Sequence, residues 1–138
     1  MICYAVIDTN VLISALLTNN KSAATAQILD RLLDGEIVPV YSKEIMDEYC
    51  EVFGRSKFKI DSDYIDNVLL TIERNGIIVE PSPTGAMLPD MKDLPFYEVV
   101  MEKRDDNAYL VTGNMKHFPT EPFIVTPRQM LDILDGKK

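Results

Sequence analysis

Ile2-Cys3-Tyr4-Ala5-Val6-Ile7-Asp8-Thr9-Asn10 is the stretch on which the fold turns. Ile2 to Ile7 is unbroken apolar sequence, with β-branched and aromatic side chains. A strand with one wet face alternates, whereas an unbroken run predicts a strand covered on both faces, as in a parallel sheet between helices. Asp8-Thr9-Asn10 then supplies three helix-capping residue types in succession, and Val11 to Leu17 reads as a short apolar helix. The chain therefore opens strand, turn, helix.

The same alternation continues outward. Ser22 is expected to cap a helix through about Asp34, with Ile28, Leu29, Leu32 and Leu33 on one face and Gly35 just past its end. Glu36 to Tyr41 holds a short strand, and Ser42 caps a helix whose apolar stripe is Ile45, Met46, Tyr49, Cys50 and Phe53. Asp61 or Ser62 starts another helix, which Gly76 ends. Ile77 to Glu80 is a third strand and Pro81 to Pro89 the longest loop. Pro95 suits the first turn of a helix to about Lys103. Ala108 to Thr112 and Phe123 to Val125 are further strands, and Thr126-Pro127-Arg128-Gln129 is a capping box opening the last helix. Strands alternating with helices predict an α/β fold: three layers, α/β/α, around a central parallel sheet of four to five strands, in one domain spanning residues 1–138.

Composition narrows the function. The chain has 138 residues, 46% of them hydrophobic and 26% charged, which is enough to fill a core and argues against disorder. No apolar run approaches the roughly 20 residues that span a bilayer. The N-terminus lacks a basic segment of the secretory kind, so a cytoplasmic protein without membrane contact is expected. Cys3 and Cys50 are expected to be reduced core thiols. A single histidine, His117, removes zinc sites built on two or more. The net charge of −8 disfavours a protein that holds nucleic acid by general attraction. It suits an acidic cluster that captures cations, and equally an acidic surface that keeps the chain dissolved.

Parallel sheets bind ligands beyond the carboxyl ends of their strands, so the residues standing there matter most. Asp8 ends the first strand. Glu48 lies in the helix after the second, Asp90 and Asp93 precede the helix after the third, and Asn114 follows the fourth. These are hard oxygen donors of the kind Mg2+ and Mn2+ prefer. Each also has a plain structural reading: Asp8 as a helix cap, Asp93 as a first-turn acid, Asn114 as a turn residue. At about 100° per residue, Glu44 and Glu51 point away from the apolar stripe, while Asp47 and Glu48 flank it on opposite sides. Periodicity leaves both of those open.

Val6 to Leu16 resembles the opening of PIN-domain proteins. Tyr41 to Tyr49 resembles their second acidic motif, Asp93-Leu94-Pro95-Phe96-Tyr97 the third, and Leu110 to Phe118 the fourth. The motifs run in family order from residue 2 to about residue 127, and the likeness is strongest to bacterial PIN proteins taken as toxins of toxin–antitoxin systems. The resemblance implies a ribonuclease that hydrolyses phosphodiester bonds of single-stranded RNA with water activated by Mg2+ or Mn2+. It makes Asp8, Glu48 and Asp93 the catalytic, metal-binding acids, choosing Glu48 over Asp47. Asn114 becomes a fourth ligand where an acid is common, an amide that adds no charge. Thr9, Asn10, Asp90 and Thr112 become supporting groups. It also implies a small antitoxin and a homodimer as partners.

Arg55, Lys57, Lys103, Arg104 and Lys116 are the basic candidates for RNA contact, and ordinary solvated cations are the competing reading. His117 reads as a structural or surface histidine rather than a general base. Two other classes compete. An aspartyl-nucleophile phosphatase or phosphoacceptor domain also puts an Asp after its first strand, but wants a second acid where Asn10 stands. A non-catalytic interaction module would carry its acids for solubility alone.

Overall fold

The computed structural model describes residues 2–136. The elements run β1 (Cys3–Ile7), α1 (Thr9–Leu17), α2 (Ala24–Leu33), β2 (Ile37–Tyr41), α3 (Lys43–Phe53), α4 (Ser62–Asn75), β3 (Ile77–Ile78), α5 (Leu94–Glu102), β4 (Tyr109–Val111), β5 (Ile124–Val125) and α6 (Pro127–Leu134). The strands form one parallel sheet in the order β3-β2-β1-β4-β5, with helices as the outer layers. The three-layer α/β/α architecture is the one the alternation predicts.

The order places β1 centrally. Cys3 aligns with Ile37 of β2, while Ile7 aligns with Val111 of β4. The chain leaves β1 toward β2 and returns on the other side only at β4. The crevice between the carboxyl ends of β1 and β4 is therefore the topological switch point, where such sheets bind ligands. Ala5, Val6 and Ile7 are fully or almost fully buried, as an unbroken apolar strand requires.

Three local signals act as their chemistry dictates. Ser42 accepts from the Ile45 amide at 3.2 Å and starts α3. Thr126 and Gln129 close a reciprocal capping box on α6. Gly76 ends α4 where a Cβ would meet the carbonyl oxygens of Ile72 at 2.4 Å and Pro39 at 2.6 Å, so no larger residue fits between α4 and β2.

Three expectations need correcting. Ser22 does not cap α2. Its amide is spent on Asn20 Oδ1 and its carbonyl on the Gln27 side chain, so the helix starts at Ala24 behind an extended Ala23. Cys50 is exposed, because α3 buries only the stripe of Ile45, Tyr49 and Phe53, and Cys50 lies a turn's fraction off it. The third strand is shorter than Ile77 to Glu80. The Val79 amide still reaches the Tyr41 carbonyl at 2.8 Å, but Pro81 offers no amide to carry the ladder on.

One contiguous apolar core runs through sheet and helices. Near the switch point it is aromatic: Tyr49 stacks on Phe53 with ring centres 5.8 Å apart and tilts against Phe96 of α5 at 6.4 Å. The Tyr49 hydroxyl donates to the carbonyl of Ile7, the residue before Asp8. That bond fixes α3 against the end of β1.

Candidate active site

Asp8 is the first residue past β1, and Ile7 and Thr9 beside it are buried. It is itself only 4% exposed. Its backbone amide donates to the Val111 carbonyl of β4 at 2.9 Å, which sets the residue across the switch point. Its side chain does not cap α1; it accepts from the Thr112 hydroxyl, a fully buried group, at 2.7 Å. Burial raises the Asp8 carboxyl above the ordinary aspartate value. The Thr112 bond opposes this, the negative charge of Asp93 adds to it, and the amides of Asn10 and Thr9 favour the ionised form.

Glu48 arrives from α3. The helix turns Asp47 outward, where it pairs with Lys43 at 3.0 Å in the open, and turns Glu48 inward, where it accepts from the Thr9 hydroxyl. The Tyr49 bond to Ile7 holds this face of the helix in place. The ambiguity left by periodicity is thus resolved by tertiary packing.

Asp93 closes the short 3-10 turn Met91–Asp93 and stands at the head of α5 without a side-chain capping bond. Its Oδ2 lies 2.9 Å from His117 Nδ1. Burial raises the Asp93 carboxyl, the His117 contact lowers it, and the charges of Asp90 and Glu48 raise it again. Asp8 feels Asp93, and Asp93 feels Glu48, so three acids from separate crossovers share one electrostatic neighbourhood.

The remaining sequence candidates fall as follows. Asp90 accepts from the Lys92 amide at 3.0 Å and caps the turn that carries Asp93. Asn114 lies two residues past Thr112, and its amide donates to the Thr112 hydroxyl at 3.0 Å. Asn10 is exposed at the start of α1. Arg55 is committed to Glu51 at 2.8 Å and Lys103 to Asp106 at 3.3 Å. Arg104 donates to the Ala108 carbonyl at 2.6 Å and lies over the Phe123 ring, while Lys57 lies over Phe58. Lys116 is exposed and shares a turn with His117. His117, read as a structural or surface histidine, is partly exposed, and its contact with Asp93 joins positions 24 apart, which no periodicity encodes.

A divalent cation can be tested against this donor set. Among the described residues, no three acidic, histidine or cysteine side chains stand close enough to hold an ion between them as they lie. The chemistry nonetheless fits. The donors are all hard oxygens, one carboxylate is buried, and burial first, then the charge of Asp93, raise its protonation tendency, an imbalance that a cation relieves. The protein occupies one oxygen each of Glu48 and Asp93 and leaves the other without a hydrogen bond among the described residues.

A parallel α/β domain with acids gathered at its switch point belongs to the class of proteins that act on ligands at the carboxyl edge of the sheet. A family model described as PIN domain matches residues 4–116, and the chain belongs to the PIN-domain family, in general a family of metal-dependent nucleases. Among solved structures it is similar to PAE2754 from Pyrobaculum aerophilum, with a TM-score of 0.53 and 15% identity, covering 99% of this chain and 91% of that one. At that identity the likeness bears on the fold alone. No curated protein matches the chain. No helix among the described residues is long and apolar enough to cross a membrane.

Proposed function

We propose that this PIN domain is an endoribonuclease that uses Mg2+ or Mn2+ to cleave single-stranded RNA, and that it is the toxin of a toxin–antitoxin pair. The observation that carries the nuclease reading is the neighbourhood of Asp8, Glu48 and Asp93 at the switch point, each with one oxygen held by Thr112, Thr9 or His117. Asp8, Glu48 and Asp93 would hold the ion, with the Asn114 amide as a fourth, uncharged donor. When bound, the cation supplies polarisation of a phosphoryl oxygen and a lowered pKa for water.

The chain's own groups do the rest. Thr112 and Thr9 fix the carboxylates of Asp8 and Glu48, so orientation need not be found anew with each substrate. The buried inner side of Asp8 keeps bulk water out behind the site. Asn10 stands exposed two residues past Asp8, and Asp90 sets the turn that carries Asp93. Lys116 is exposed beside His117 and forms no ion pair among the described residues, a candidate to meet a phosphate, while Arg55, Lys57, Lys103 and Arg104 serve local structure first. The family likeness supports a small antitoxin protein and a homodimer as partners.

The test is a cleavage assay on labelled single-stranded RNA, with and without Mn2+, beside the Asp8→Asn variant. Wild-type cleavage that needs Mn2+ and disappears in the folded variant supports the reading. Mn2+-dependent cleavage that survives in the variant removes Asp8 from the site, and cleavage of DNA alone removes the RNA assignment.

A further inference from the structure

The segment that leaves β4 reaches two of the three acids. Thr112 donates to Asp8 Oδ2 at 2.7 Å while accepting from the Asn114 amide at 3.0 Å. The Asn114 carbonyl accepts from the His117 amide at 3.0 Å and closes the 3-10 turn Met115–His117. That turn delivers His117 Nδ1 to Asp93 Oδ2 at 2.9 Å. A short piece of chain thus grips an acid from β1 and another from the head of α5.

The two grips are alike. In each, one carboxylate oxygen is taken by a donor from the β4 exit. An ionised carboxylate only accepts, so the hydrogen of the Asp93 contact lies on His117 Nδ1. Among the described residues this is the only side-chain hydrogen bond Asp93 makes, since it forms no cap on α5. Without it Asp93 would face Asp90 and Glu48 with no donor to set its orientation. The histidine side chain is 41% exposed, so packing is the smaller part of what it supplies.

We propose that His117 is a positioning residue of the cation site: by holding Asp93 through one oxygen it presents the other to the ion. The proposal rests on the cation-site reading above. Carboxylates and imidazoles that bind metals are commonly oriented by such outer partners, and losing one costs about 10- to 100-fold in affinity.

Two substitutions separate the donor from the ring. His117→Phe keeps a ring of similar size and removes the hydrogen bond. His117→Asn removes the ring and keeps an N–H at the same position along the side chain as Nδ1. Mn2+ is titrated calorimetrically into wild type and both variants, with thermal melts run beside them to show that each is folded. The expected result is affinity about 10-fold weaker in His117→Phe and within about three-fold of wild type in His117→Asn. Wild-type affinity in folded His117→Phe overturns the proposal, as does equal weakening in both variants, which would assign the effect to ring packing. A wild-type protein that takes up no Mn2+ overturns the cation-site reading itself, a different failure from the other two.

Discussion

The carboxyl edge between β1 and β4 and the apolar groove beside β5 lie on either side of a single turn, Met115–His117. His117 looks to the acids, and Met115 lines the groove together with Pro122, Ile124, Val125 and Ile133. The groove encloses about 600 Å3, and none of the three acids lines it. The acidic edge is polar, its carboxylates held by hydrogen bonds from Thr9, Thr112 and His117. The proposed nuclease site is the edge, because that chemistry needs charge held in place and the edge carboxylates are held by hydrogen bonds.

The comparison breaks most sharply at Asp8. Asp8→Asn is expected to lower RNA cleavage by about a thousand-fold, corresponding to the several kcal/mol a cation site contributes to transition-state stabilisation. Single-turnover cleavage at saturating Mn2+ measures it. Thr112→Val comes next. It leaves Asp8 and the Asn114 amide without their hydroxyl partner in a fully buried position. The expected cost is about 1–3 kcal/mol in denaturant unfolding, with Mn2+ affinity down about 10-fold.

A smaller effect follows from protonation. The folded protein holds Asp8 and Asp93 above their ordinary aspartate values, chiefly through burial. For an acid raised in the folded state, the native form binds more protons than the unfolded one. Its contribution to stability is therefore greatest at low pH and is lost as pH rises through the raised value. In chelator, Asp8→Asn should melt about 3 °C above wild type at pH 7, with the advantage vanishing toward pH 4. Melting curves across that range measure it, and a variant less stable than wild type at pH 7 would show that the Asp8 charge is not a burden. The smallest effect is expected on the other side of the turn. Glu121→Gln, in the groove, should change cleavage less than about two-fold, within the range of surface substitutions.

How much of this was legible in the sequence differs between fold and site. Strand burial was legible over Cys3 to Ile7, which has no polar interruption, but not at Ile2, which lies ahead of the strand and is exposed; the starts of α3 and α6 were legible because Ser42 and Thr126 act within one turn of themselves. Ser22 misled because its carbonyl is taken by the Gln27 side chain, while the Gln27 backbone amide closes the first helical bond on the Ala23 carbonyl instead. The switch-point placement of Asp8 follows from strand order, which alternation constrains. The direction of Glu48 does not follow from helical period, since Asp47 flanks the same stripe; the Tyr49 bond to Ile7 and the Thr9 hydroxyl decide it. His117 was least legible of all. Its contact with Asp93 joins two turns from different crossovers, and nothing local marks a histidine that will meet a carboxylate 24 positions away.

The central claim is that Asp8, Glu48 and Asp93 serve one ion. Crystals soaked in Mn2+ and measured at a wavelength where manganese scatters anomalously test it without recourse to activity. The expected result is an anomalous peak at the switch point, about 2.2 Å from oxygens of at least two of these acids and joined to the third directly or through one water. No peak there at saturating Mn2+, or a peak only elsewhere on the surface, would contradict it.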